Sequence, residues 1–113
     1  MVQVLLDYGV DVNAQARAGS TPLNFVIDHL NDHSVVRLLL GHGADPNIPT
    51  KDGSTPLHRA SGRGVIEVIH PLIEYGASVE AQDDEGRTPL DVASGEQREE
   101  IIKLLLDIEH RAK

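Results

Sequence analysis

The sequence predicts an all-α repeat fold, a solenoid of helix-turn-helix units joined by β-hairpin loops, and three observations carry that prediction. Gly-Ser-Thr-Pro-Leu stands at residues 19–23 and 53–57, and Gly-Arg-Thr-Pro-Leu follows at 86–90, at spacings of 34 and 33 residues. A second, unrelated marker keeps the same step, as Gly-Val-Asp-Val-Asn at 9–13, Gly-Ala-Asp-Pro-Asn at 43–47 and Gly-Ala-Ser-Val-Glu at 76–80. Apolar runs at 35–40, 65–73 and 101–106 recur in the same phase. Two markers and an apolar run at one period of this length are the mark of stacked supersecondary units.

Each Thr-Pro pair opens a helix. The hydroxyls of Thr21, Thr55 and Thr88 are placed to accept from the free N–H groups of a first turn, and Pro22, Pro56 and Pro89 occupy the position where a missing N–H does no harm. The apolar runs supply a second helix per unit. Gly43 and Gly76 end two of these, because each can take the left-handed backbone that a side chain resists.

Thr55-Pro56-Leu57-His58-Arg59-Ala60 matches every fixed letter of the T-P-L-H-x-A pattern, and on these residues the chain resembles the ankyrin repeat family. Asn24 and Asp91 stand where the pattern has His, and both are expected to hydrogen-bond a neighbouring loop. The resemblance spans the chain as a partial repeat at 1–14, full repeats at 15–48 and 49–81, and a capping repeat at 82–113.

Taken in order, residues 1–9 read as the tail of a second helix, with Val2, Leu5 and Leu6 in the apolar places of Val36, Leu39 and Leu40. Its partner helix is missing, so the chain is expected to be the C-terminal part of a longer array, the alternative being a short chain whose open end is buried by another protein or by itself. The 15–48 repeat is one residue longer than the next, and the extra residue falls in the loop between its helices. His33 then takes the place of Ile66, Leu30 is expected to fill the space, and Asp32 is expected to cap the second helix. Pro71 lands inside the second helix of the 49–81 repeat, where a kink costing about 3 kcal/mol or less is expected. In the last repeat Ile101, Leu104, Leu105 and Ile108 form one apolar stripe, opposite Glu99, Glu100, Lys103, Asp107 and Arg111, the pattern of a C-terminal cap.

The formal charge of −8, from 10 basic against 18 acidic residues, argues against nucleic acid, whose phosphates demand a basic footprint. One Phe, two Tyr and no Trp leave no stacking platform for single strands. No apolar run approaches a membrane span, no signal peptide opens the chain, and there is no Cys. These features fit an intracellular, cytoplasmic or nuclear chain without a membrane partner.

Two constellations invite chemistry and lack the means for it. His29 and His33 are four apart with Asp28 and Asp32 beside them, but a loop separates them and no further ligands are in view, so no metal is expected. Asp52, Ser54 and His58 have the residue types of a hydrolase triad, yet lie in one loop and helix start where local structure already employs them. No phosphate loop, nucleotide fingerprint or protease motif occurs, so neither an enzyme nor a cofactor is expected.

The resemblance implies instead a groove lined by hairpin tips and the inner faces of the first helices. Carried over by position, its candidate partner-binding residues are Arg17, Ser20, Asp28, His29, Lys51, Asp52, Ser54, Arg59, Arg63, Asp84, Glu85 and Arg87. Lys51, Arg59, Arg63 and Arg87 are expected to cluster at the middle and suit an acidic anchor, unless they pair internally, Arg87 with Asp84 for instance. Asn13 and Asn47 hold the hairpin place that asparaginyl hydroxylases modify in some ankyrin proteins. Asn13 has the better context, with Leu5 eight residues before it. The expected function is a non-catalytic scaffold or adaptor module, a monomer within a larger chain, binding a protein or peptide. The alternatives are an architectural spacer and the regulatory arm of an upstream enzyme.

Overall fold

The computed structural model describes residues 12–15, 19–30, 32–95 and 97–111, the side chains of 109–111 excepted. The expected half helix at 1–9 and the tip residue Arg17 lie outside them. The described chain forms α1 (Pro22–His29), α2 (His33–Gly41), α3 (Pro56–Arg63), α4 (Ile66–Glu74), α5 (Pro89–Val92) and α6 (Arg98–Arg111), with no strand among the described residues. Each Thr-Pro pair starts a first helix, as its chemistry dictates. Thr21, Thr55 and Thr88 adopt nearly the same extended backbone, φ −90, −83 and −91, and their hydroxyls accept from the N–H groups of Asn24, His58 and Asp91. The three first helices α1, α3 and α5 therefore leave their tips in one direction and stack side by side, while α2 lies against α4 behind them.

One core runs through all the layers. Leu23 and Ile27 of α1, Val36 and Leu39 of α2, Leu57 and Ala60 of α3, Val68, Ile69 and Leu72 of α4, and Ile101 and Leu105 of α6 are buried together. Burying each of the larger side chains is worth about 1.5–3 kcal/mol, so this shared burial is the main force between layers. The C-terminal stripe behaves as expected: Leu104 and Ile108 pack partly against this core, and Glu99, Glu100, Lys103 and Asp107 face water. Helix α4 runs from Ile66 to Glu74 without interruption at Pro71, whose ring is buried.

Polar links then tie layer to layer. The Asn13 amide donates to Gly43 O (3.1 Å) and accepts from Asp45 N (2.7 Å), and Asn47 repeats this with Gly76 O (3.1 Å) and Ser78 N (2.7 Å). The asparagines thus serve loop geometry across each joint. At the glycines, Ala44 N donates to Leu39 O and Ala77 N to Leu72 O, each at 3.0 Å, closing the second helices with a left-handed stop at φ 96 and 93. The hairpin loops close by turns instead of a ladder: Thr50 N donates to Ser54 O and Gly53 N to Thr50 O, and Asp83, Gly86 and Arg87 repeat the pattern, all at 2.9 Å.

The turn between the helices differs in every layer, for a reason the alignment of residues 30, 64 and 97 makes plain. Gly64 takes φ 74 and ends α3 cleanly, so two residues suffice before α4. Leu30 occupies the same place after α1, stays right-handed at φ −111, and needs the extra loop residue before Asp32, whose carboxylate caps α2 through Ser34 N (2.9 Å) and Val35 N (3.4 Å). Leu30 is 57% exposed, so it does not fill the space left by His33. Gln97 stands at the third such place and cannot serve as a left-handed stop at low cost. The chain leaves α5 early, through Gly95 at φ 91, and α5 is only 4 residues long. Gly95 thus lies beyond the first helix of its repeat. Ser94 instead crosses the end of α3, where its N–H donates to Ser61 O (3.1 Å) and its hydroxyl to Gly62 O (2.5 Å).

The fourth letter of the T-P-L-H pattern also departs from expectation. Asp91 turns back to accept from its own Thr88 N (2.9 Å) and does not reach a neighbouring loop. Asn24 is fully buried, and neither its Oδ1 nor its Nδ2 has a partner. Its side chain is too short to make the crossing that His58 makes in the next layer.

Two predictions follow from this packing. A Cβ on Gly64 would collide with Ser94 O and come within 3.1 Å of Gly95 Cα, whereas one on Gly43 meets nothing within 4 Å. Gly43→Ala should therefore cost about 1–2 kcal/mol, the left-handed strain alone, and Gly64→Ala clearly more, by thermal or urea denaturation. Asn24→His should raise stability by about 1 kcal/mol or more by giving a stranded polar site its bonds, read as a higher Tm.

Candidate functional site

The groove begins at the hairpin tips. Asp84 N donates to Asp52 O (3.1 Å), joining successive tips, and Asp84 lies where a side chain on Gly53 would be, its N 2.8 Å from that Cβ position. Glycine at 53 thus permits the close approach of one tip to the next. The exposed tip side chains are Lys51, Asp52, Asp84, Glu85 and Arg87, with Ser20 and Ser54 half-buried.

Arg59 holds the tips against the first helices. It forms an ion pair with Asp28 of α1, and its Nη2 donates to Thr50 Oγ1 (2.9 Å). Thr50 Oγ1 donates in turn to Asp52 Oδ1 (2.5 Å), which also accepts from Ser54 N (3.2 Å). One polar chain thus spans two helices and a loop, and fixes the face of α3 that carries Arg59 on the same side as the tips. Arg59 and Asp28 are both largely covered, 24% and 26% exposed at the side chain, so this arginine is not an open anchor.

Arg87 is also engaged, though not as expected. Its Nε donates to Asp83 Oδ2 (3.0 Å) and its guanidinium lies 3.6 Å from Glu85, while Asp84 is turned to the neighbouring tip. The expected basic cluster of four is therefore divided: Arg59 and Arg87 are committed to neighbouring carboxylates, Lys51 is exposed at its tip, and Arg63, exposed at the end of α3, has an interaction of its own within the chain. On α1, at the places of Arg59 and Arg63, stand Phe25 and His29. Both are exposed, with ring centroids 4.5 Å apart and planes at 43°.

Electrostatics follow this bonding. The Thr50 hydroxyl, with the Ser54 N–H and the Arg59 charge, holds the Asp52 carboxyl below the usual aspartate range. The Arg87 and Glu85 N–H groups, with the Arg87 guanidinium, do the same for Asp83. Thr50 and Asp83 were not singled out by sequence. They hold equivalent places at the foot of each tip, and an Asp or Thr preceding a Gly turn is the signal that marks them.

His58 is fully employed in structure. Its Nδ1 accepts from Thr55 N (3.1 Å), so the proton sits on Nε2, which donates to Arg87 O (2.7 Å) across to the next tip. Both nitrogens are thus taken, and Asp52 and Ser54 bond to each other and to Thr50, which leaves no relay among the three. His29 ends α1 and His33 opens α2, so no continuous helix carries the pair. Among the described residues no three His, Cys, Asp or Glu side chains come together as a metal site, and no helix is long and apolar enough to cross a membrane.

Because the Asp52 and Asp83 carboxyls titrate lower in the folded chain than when unfolded, the stability they contribute is present above the ordinary aspartate value of about 3.9 and is lost as pH falls below it. Thermal melts should show Tm dropping below about pH 4, with a shallower drop in Asp83→Asn, whose side chain cannot ionise.

Compared with models of protein families, residues 23–113 match ankyrin repeats, in three copies. No curated protein matches the chain.

Proposed function

The chain belongs to the ankyrin repeat family, and from that premise we propose that it is a non-catalytic module that binds one protein partner in the groove between its hairpin tips and first helices. Ankyrin repeats generally serve in protein–protein interaction. The observation that supports the reading here is the polar chain from Asp28 through Arg59 and Thr50 to Asp52, which locks tips and helices into one stiff corner. A wall already ordered loses little entropy when a partner arrives, so modest contacts can give specificity. The residues that would meet the partner are the exposed ones of that corner: Lys51, Arg63, His29, Asp84 and Glu85, with Ser20, Ser54 and Arg87 at the margin. Arg59, Asp28 and Asp52 would act by holding the wall. On this reading the chain works inside the cell as an adaptor or scaffold segment of a larger array, with repeats at 15–48, 49–81 and 82–113.

A second reading, an architectural spacer, draws on the internal engagement of Arg59 and Arg87, which makes part of the groove charge serve the fold. Partner capture from the native cell separates the two. Lys51→Glu with Arg63→Glu should abolish capture of a specific protein while the chain stays folded by circular dichroism, and Lys103→Glu on the exposed side of α6 should leave capture intact. Full retention of every captured protein by the groove variant would favour the spacer.

A further inference from the structure

We infer that the stack opens at one preferred joint, between the layer of α1 and α2 and the layer of α3 and α4, and that the Asp28–Arg59 ion pair is the latch that holds it closed. The row of first helices is crossed differently on the two sides of α3. Toward the third layer the crossings are neutral. His58 Nε2 donates to Arg87 O (2.7 Å), Asp84 N to Asp52 O (3.1 Å), and Ser94 gives its N–H to Ser61 O (3.1 Å) and its hydroxyl to Gly62 O (2.5 Å). Toward the first layer, Arg59 reaches Asp28, and the link is one of charge. Asn24 stands at the place of His58, buried and with no partner for either side-chain polar atom, so the neutral crossing is missing there. At the tips the Gln15 amide lies 3.5 Å from Pro49 O, the outer limit of a hydrogen bond.

Behind the groove the same joint is pinned. Asn47 donates to Gly76 O (3.1 Å) and accepts from Ser78 N (2.7 Å), and Arg37 of α2 holds both carboxylate oxygens of Glu74 of α4, at 3.0 and 3.2 Å. A joint pinned at one edge and latched at the other is a hinge. Opening it uncovers Leu23, Ile27 and Leu57, which are fully buried, so the open form is a rare excursion of the kind amide exchange detects. Parting Asp28 from Arg59, 26% and 24% exposed, adds to the cost of opening, and water reaching Asn24 offsets part of it. Because each layer is coupled to its neighbours, the third layer stays seated on the second. The latch thus sets how ordered the wall between Phe25 and Arg59 is before anything binds there.

Hydrogen–deuterium exchange of the whole chain under native conditions, read peptide by peptide, tests this in the wild type, Asp28→Asn, Arg59→Gln and the double variant. Asp28→Asn keeps the side-chain shape and removes the charge. Amides of α1 and α2 should then exchange about tenfold faster, while those of α6 change by less than about twofold. Arg59→Gln should act alike, and the two changes together should speed exchange no more than either alone, because they break one contact. Equal acceleration in every helix, no acceleration in α1 and α2, or additive effects of the two changes overturns the inference. The hinge does not rest on the groove reading, which partner capture tests separately.

Discussion

The hydroxyl of each Thr-Pro pair is the contact on which the remaining structure depends. A cap bond of this kind is worth only about 1 kcal/mol, but it fixes the angle at which a helix leaves its loop. Thr21, Thr55 and Thr88 share ψ values of 166, 166 and 167, so the three first helices set out in parallel from three equivalent tips. Only with that register do the apolar faces of successive layers meet. Only then can an amide on one loop reach the carbonyl and N–H of the next, as Asn13 and Asn47 both do.

Within that frame, one backbone position controls how each layer folds back on itself. Glycine at 64 turns the chain in the least space. Leucine at 30 needs a longer loop and glutamine at 97 a shorter helix, and both outcomes reach the face of the groove. The first layer presents a full helix with Phe25 and His29, the second a full helix with Arg59 and Arg63. The third offers a single turn followed by Ser94 and Gly95 lying across the end of α3. A change in turn chemistry on one edge of the layer thus decides how much wall the other edge has.

The fold was legible from the repeated markers because caps and left-handed stops are local: Thr-Pro, Gly43 and Gly76 act through neighbours a few residues away. The early end of α5 was legible in principle, since Gln97 stands where the preceding repeat has Gly64, but repeat spacing alone conceals it. The site was less legible. Arg59 paired with Asp28, 31 residues earlier, and Arg87 chose Asp83 over Asp84 because Asp84 was already turned to the next tip. Such choices depend on the distances between layers, and no pattern along one chain records them. The strandless loops belong with these, since whether a hairpin forms a ladder or only a turn is set by how its two arms are held apart.

The links between layers described above each cross a single joint: Asn13 to Gly43, Asn47 to Gly76, Asp28 to Arg59, His58 to Arg87. A structure coupled only through nearest neighbours has no keystone. Tension applied along the stack is borne joint by joint and relieved at the softest one, so the groove can flex between two layers while each layer keeps its shape.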